Sequence, residues 1–410
     1  MTSIRPPRRN AATEQVQKNT PEHRPRAVVV AVRRLFGADR SDVMLVQGTT
    51  IFLVLFGLVM VLSSSAVTSS QNNEGDFFAV FARQGLFALI GIPLMLMISR
   101  LPAVFWRRWA RVAVMIALGL QLLVFTGLGY DYGGNQNWIS IGGLTAQPSE
   151  FLKFALIIWL ATVLADRADG FTDWRSVLIP AIPVSGVAIA LVLAGQDLGT
   201  ASIMVVIVLA ALFFAGAPLG KLAVMVAVMV AGAVAFAFSS SSRSDRIDVW
   251  LNGCSPEDYE LTCWQSIHAL WAMGSGGVFG QGLGNSAAKW RWLPHAESDF
   301  IFAIIGEELG LVGALVVLAL YAVLAVGLIR LVRGHTDPFR RIATGAVLAW
   351  IIGQAFVNIA VVLGLLPVLG VPLPFISAGG TALVSSLVGI GMVLSLARSR
   401  PSAAYAGGVS

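Results

Sequence analysis

A carboxylate at the mouth of an apolar stretch, a Glu-Lys pair one helical turn apart and an isolated pair of cysteines are the side chains here whose types and spacing can do chemistry. Asp299 follows the longest polar stretch of the chain and opens a long apolar run. Such a carboxylate can take a proton as a general base, or Ser298-Asp299-Phe300 can cap a helix N-terminus. The helix dipole would lower its pKa and burial would raise it, and these act in opposite directions. Glu150 and Lys153 stand three residues apart, close enough to pair on one helix face. Arg83 sits inside a second apolar run, where a charge is expensive and needs a reason. Glu307 and Glu308 raise the same question and can simply lock helices together, and Asp197 in GQDLGT reads equally as a turn former. Cys254 and Cys263 are the only cysteines. In an oxidising compartment they would form a disulfide, worth about 2–3 kcal/mol from chain entropy for so short a loop; otherwise they are two free thiols. The segment Gly274–Gly284, GSGGVFGQGLG, lacks the preceding strand of a nucleotide-binding loop and is expected outside the membrane. Its glycines suit tight turns and close backbone approach.

The elements that must hold these residues follow from composition. Of 410 residues, 56% are apolar and only 12% charged, with a mean hydropathy of +0.78, against about 25% charged in a soluble domain. Apolar runs occupy approximately 44–67, 77–98, 110–129, 149–165, 177–195, 200–216, 221–238, 299–329, 342–365 and 379–397. Each is near the roughly 20 residues a spanning helix needs. Long runs without strand alternation are helices rather than barrel strands, so the expected fold is all-α, a polytopic integral membrane protein with about ten transmembrane helices. Residues 1–42 form a basic, polar cytoplasmic tail, 43–398 the membrane domain with a large outside loop at 239–298 before the eighth span, and 399–410 a second cytoplasmic tail. With the N-terminus inside, 22 of the 28 Lys and Arg lie in cytoplasmic segments and 4 outside, which sets both termini in the cytoplasm. The formal charge of +6 is therefore a matter of topology, not of nucleic-acid binding. No internal repeat of the kind many transporters carry is evident.

Several pieces together resemble one family, the SEDS proteins, which are membrane peptidoglycan polymerases. They are ARQ around Arg83, NWISIGG and QPSEFLKF from Asn137 to Phe154, QDLGT at Gln196, GSGGVFGQGLGNS from Gly274, LPHAESDFIFAIIGEELG from Leu293, and PLPFISAGGTALVSSLVGIG near the end. They span residues 44–400, and GLGNS with KWRWLP is most similar to the division branch of the family. Where the family commonly reads PEAHTDF this chain has PHAESDF, so His295 and Glu297 are exchanged in type beside Asp299. The resemblance implies a glycosyltransferase that polymerises lipid II, joining a donor sugar to an acceptor 4-hydroxyl and releasing undecaprenyl diphosphate. An α-linked donor giving a β-linked product needs one base and no enzyme nucleophile. Asp299 is then the catalytic base, alone or with a divalent cation, Mg or Mn. Arg83, Lys153 with Glu150, Arg246 and Lys289 are the candidates for substrate binding, the cations answering diphosphate charge. The implied partners are lipid II, the nascent glycan strand, a class B penicillin-binding protein as transpeptidase and other division proteins in the bacterial inner membrane at the septum. A lipid II flippase and an elongation-type polymerase are the alternative readings.

Overall fold

In the computed structural model each apolar run has its helix, because a chain in hydrocarbon must satisfy its backbone groups within itself. The structure describes residues 40–72, 75–132, 135–141, 144–167, 174–237, 241–255, 259, 263–290 and 292–398. Most of the N-terminal tail and all of the C-terminal tail lie outside these residues. The helices are α1 (Arg40–Asn72), α2 (Ala79–Ile98), α3 (Ala103–Leu123), α4 (Pro148–Ala165), α5 (Trp174–Ala194), α6 (Leu198–Ala215), α7 (Leu219–Ala237), α8 (Ser241–Asn252), α9 (Trp264–Ser275), α10 (Ile301–Gly334), α11 (Pro338–Val362) and α12 (Gly380–Arg398). Among the described residues, α1, α2, α4, α6, α10, α11 and α12 are long and apolar enough to cross a membrane, and shorter apolar helices lie within α5 and α7. The protein is a polytopic helical membrane protein. What separates α3 from the others is Arg107, Arg108 and Arg111 in its first half.

Between α3 and α4 the chain makes a three-stranded antiparallel sheet, β1 (Gly129–Tyr132), β2 (Asn135–Ile141) and β3 (Leu144–Ala146), in the order β1-β2-β3. It is an addition to the all-helical expectation. Its strands are too short to register as periodicity in the sequence, yet they matter because β3 runs directly through Gln147 into Pro148 at the head of α4.

Two irregular segments shape the interior. The first is a break in α10 at Gly310, whose φ of 66° and ψ of −164° only glycine adopts comfortably. Leu311–Gly334 alone is long enough, about 36 Å, to cross a hydrocarbon core of about 30 Å. Ile301–Leu309 is a separate half-helix, and nearly all its side chains are buried. The backbone groups freed by the break are taken up by the glycine-rich segment: Gln281 and Gly282 amides donate to the Glu307 and Glu308 carbonyls, and Leu311 and Val312 amides donate to Gly277 and Val278. Gly276 and Gly280 press on the carbonyls of Gly306 and Glu308 so closely that a Cβ would collide. The segment is thus docked along α10, the close backbone approach that its glycines suit.

The second irregular segment is 366–379, between α11 and α12. The Tyr321 hydroxyl, midway along α10, donates to the Pro374 carbonyl, and Gly57, midway along α1, abuts Phe375 and Ile376. The loop therefore folds back between α1 and α10. Such irregular backbone is tolerated at depth only where protein groups satisfy it, and here Gln84, Gln354, Asn358 and Ser377 do so.

The structure also joins Cys254, just after α8, to Cys263 at the head of α9. Alkylation of the denatured, unreduced protein is expected to add no label to either cysteine, and prior reduction to admit two. Equal labelling with and without reductant would reject the bond.

Candidate active site

The site assembles where the N-terminal ends of α4, α6 and α10 and the C-terminal part of α11 meet the 366–379 loop. Asp299 immediately precedes Phe300, the N-cap position of α10, and no side chain caps that helix. The capping explanation for this aspartate therefore fails. Its backbone is pinned instead: the Asn358 amide donates to the carbonyls of both Asp299 and Val371, each at 2.7 Å. One residue earlier, the Ser377 hydroxyl donates to the Ser298 carbonyl, and the Ala378 amide donates to the Glu297 carbonyl at 2.8 Å. Its carboxylate faces Gly370, where a Cβ would stand 3.6 Å from Oδ2 and where φ of +67° already demands glycine. Burial above all raises the Asp299 carboxyl, the His295 charge opposes it and Asp197 and Glu297 add to it, which together leave it at about 6. A carboxyl in that range is ionised near neutral pH yet basic enough to accept a proton.

Asp197 belongs to the same site, which the sequence did not reveal because its turn role was an adequate reading. It does cap α6, with Oδ1 accepting the Thr200 amide at 2.7 Å. Its other oxygen accepts Gln147 Nε2 at 3.0 Å, tying it to the sheet-to-α4 junction. Only 8% of the residue is exposed. Burial raises its pKa, while the Thr200 hydrogen bonds and the Lys153 charge oppose that.

Glu150 and Lys153 lie beneath it, within electrostatic reach of Asp197. Lys153 Nζ donates to Glu150 Oε1 at 2.8 Å and to Gln354 Oε1 at 3.1 Å, and lies over the Trp350 ring. Glu150 Oε2 accepts the Ser385 hydroxyl, and Gln354 in turn holds the Pro372 carbonyl at 2.9 Å. This buried network joins α4, α11 and α12 to the loop that carries Gly370.

The other candidate cations are not brought to Asp299 in the same way. Arg83 is exposed on α2 and donates to the Thr145 hydroxyl of β3 at 2.8 Å. Lys289 is buried, donates to the Gly284 carbonyl and pairs with Glu308 at 3.5 Å. It fastens the glycine-rich segment to α10. Glu308 also accepts the Ser63 hydroxyl of α1, joining α1 to α10 as the helix-locking reading expected, whereas Glu307 accepts the amides of Ala287 and Ala288 and holds the non-helical 286–288 segment instead. Arg246 is exposed on α8. Among the described residues no three His, Cys, Asp or Glu side chains converge as a metal-ligand set, so these side chains do not build a metal centre of their own.

Comparison with known proteins fits this arrangement. The chain is 40% identical over 404 residues to the probable peptidoglycan glycosyltransferase FtsW of Mycobacterium tuberculosis, covering 97% of this chain and 76% of that protein. It is 37% identical to the stage V sporulation protein E of Bacillus subtilis, covering 85% and 95% of the two. In fold it is similar to the crystal structure of the rod shape determining protein RodA of Thermus thermophilus, with a TM-score of 0.63, 26% identity and coverage of 89% and 98%. It is also similar to a chain from a peptidoglycan synthase complex described as coordinating polymerization and crosslinking, with a TM-score of 0.68, 24% identity and coverage of 85% and 96%. The cell cycle protein family of FtsW, RodA and SpoVE matches residues 43–402, and this chain belongs to it.

Proposed function

We infer that the protein is a peptidoglycan glycosyltransferase that polymerises lipid II during cell division, with Asp299 as general base. The observation that carries the reading is Asp299 itself: a carboxylate with a pKa raised to about 6, spared from capping and held at a helix mouth by Asn358 and Ser377. Lipid II has an apolar tail and a sugar head, so a reaction at the membrane boundary lets both ends keep their solvents. The acceptor 4-hydroxyl gives its proton to the Asp299 carboxylate as its oxygen attacks the donor C1, and the C1–O bond to diphosphate breaks on the opposite face. One displacement inverts the anomeric centre. Negative charge develops on the departing diphosphate, and Arg83, an exposed cation at the edge of the sheet, is placed to meet it. Lys153 acts from below, holding Glu150, Gln354 and the loop in register. Relatives named for FtsW support the division role.

The pH dependence tests the base directly. Because the base must be ionised, polymerisation is expected to rise about tenfold per pH unit below a midpoint near 6 and to level off above it. Asp197→Asn removes a negative neighbour that raises the Asp299 pKa, so the midpoint should move to lower pH. A rate independent of pH between 4.5 and 7, or a midpoint unmoved in Asp197→Asn, would count against Asp299 as the base.

The proposed topology has ten spans, cytoplasmic termini and an outside loop at 239–298, with the protein at the septal membrane beside a class B penicillin-binding protein that crosslinks the strands. The basic-residue distribution supports it. Reporter fusions at residues 68, 170, 260, 335 and 405 should read outside, inside, outside, inside and inside. An inside signal at 260 would put the site in the wrong compartment.

A further inference from the structure

Gln147 stands at the N-cap position of α4, yet its side chain makes no capping bond there. It reaches across the fold instead. Nε2 donates to Asp197 Oδ2 at 3.0 Å, a contact between residues 50 apart in sequence, and the Gln147 backbone amide donates to Thr381 Oγ1 in the first turn of α12. Two residues earlier, Thr145 of β3 accepts Arg83 at 2.8 Å. The end of the sheet is thus fastened on one side to the cation that meets the departing diphosphate and on the other to Asp197, an electrostatic neighbour of the base.

Asp197 depends on such contacts more than an exposed aspartate would. It is 8% exposed, and a carboxylate so buried keeps its charge only where donors and cations answer it. Oδ1 accepts the Thr200 amide at 2.7 Å, and Oδ2 accepts Gln147. The charged groups around it are Lys153, which favours the ionised form, and Glu150, which opposes it, both from α4, and Asp299 at the head of α10. An ionised carboxylate only accepts, so the nitrogen end of the Gln147 amide must face it. The side chain is thereby matched to a charged Asp197.

We propose that Gln147 is a positioning residue for the base, its amide keeping Asp197 ionised and in place so that Asp197 supports Asp299 as proton acceptor, an inference that rests on the reading of Asp299 as the base. The sign follows from the groups around Asp299. His295 lowers its proton affinity, whereas Asp197 and Glu297 raise it, so a change that lets Asp197 take a proton leaves Asp299 a weaker base. Leucine or methionine at 147 fills the space but offers no hydrogen. Asp197 then takes a proton more readily, the acid limb of the rate profile moves to lower pH, and turnover above it slows. Gln147 touches neither substrate, so the KM for lipid II should hold.

Polymerisation of labelled lipid II is followed from pH 4.5 to 8 with full-length protein in nanodiscs and the proposed class B penicillin-binding protein present, and thermal unfolding checks that each variant is folded. Gln147→Leu and Gln147→Met, the second unbranched like glutamine, are each expected to lower the midpoint by about half a pH unit, inside the spread of about one unit that folded surroundings impose on carboxylates. Each should slow the plateau rate several-fold at unchanged KM and shift the midpoint no further than Asp197→Asn, which deletes the charge outright. Gln147→Leu combined with Asp197→Asn should share the midpoint of Asp197→Asn alone, because no charge is left to hold; independent effects would add. Thr145→Val loosens the same strand on the Arg83 side and should leave the midpoint in place. Midpoints unmoved in both Gln147 variants while Asp197→Asn shifts would overturn the role of Gln147 and leave Asp299 as the base. So would a double variant shifted beyond Asp197→Asn, or a Thr145→Val shift as large as that of Gln147→Leu. A flat wild-type profile, or a midpoint unmoved in Asp197→Asn, would instead sink the base reading and the positioning role with it.

Discussion

Asp299→Asn protein is expected to fold, to bind lipid II and to polymerise it at least about 10²-fold more slowly than wild type, the usual loss when a general base is removed. Asparagine keeps the size of the side chain, and the contacts that pin this residue run through its backbone carbonyl to Asn358, so the local structure has no reason to change. No helix cap is lost either, because Asp299 caps nothing. What disappears is the proton acceptor. Thermal unfolding in detergent and lipid II binding supply the controls, and gel sizing of the products gives the rate. A variant that is inactive because it is unfolded would show itself in the first two measurements.

Lys153→Met is expected to have the second-largest effect, mostly through stability. It leaves Glu150, 1% exposed, with Ser385 as its one side-chain partner among the described residues, and removes one donor from Gln354. Breaking a buried ion pair by deleting one member costs about 3–5 kcal/mol, most of it the unpaired charge left behind. The single variant should therefore unfold at markedly lower temperature. Glu150→Gln combined with Lys153→Met removes both charges and should recover most of that loss. Its polymerisation should stay depressed, because Asp197 no longer has a cation beneath it and Gln354 holds the Pro372 loop less firmly. Thermal unfolding of the two variants side by side decides the matter, and an unchanged single variant would show that the pair contributes little.

Much of this was legible in the sequence because the membrane enforces it. Apolar runs became helices, and the Glu150–Lys153 spacing became an ion pair, through rules that act within one segment. The sequence was less informative where contacts join distant segments. Asp197 carried a complete local explanation as a turn former, and nothing near it in sequence marks its electrostatic link to Asp299. Lys289 resembled a free cation beside the site until Glu308, nineteen residues on, took it up. The break at Gly310 hid inside what read as one long apolar run, because a helix and a half-helix followed by a helix have the same hydrophobicity. Likewise nothing in PLPFISAGG itself marks its return between α1 and α10, which builds the wall that Asp299 faces.

The most direct test of a polymerase with its base at the outer boundary is reconstitution with labelled lipid II, comparing wild-type and Asp299→Asn protein for glycan chains and released undecaprenyl diphosphate. Wild-type protein, with the proposed class B penicillin-binding protein present, should yield both products in step, and the variant should yield neither while still binding lipid II. Folded Asp299→Asn protein that polymerises at the wild-type rate, or wild-type protein that carries lipid II across the bilayer without making glycan, would contradict it.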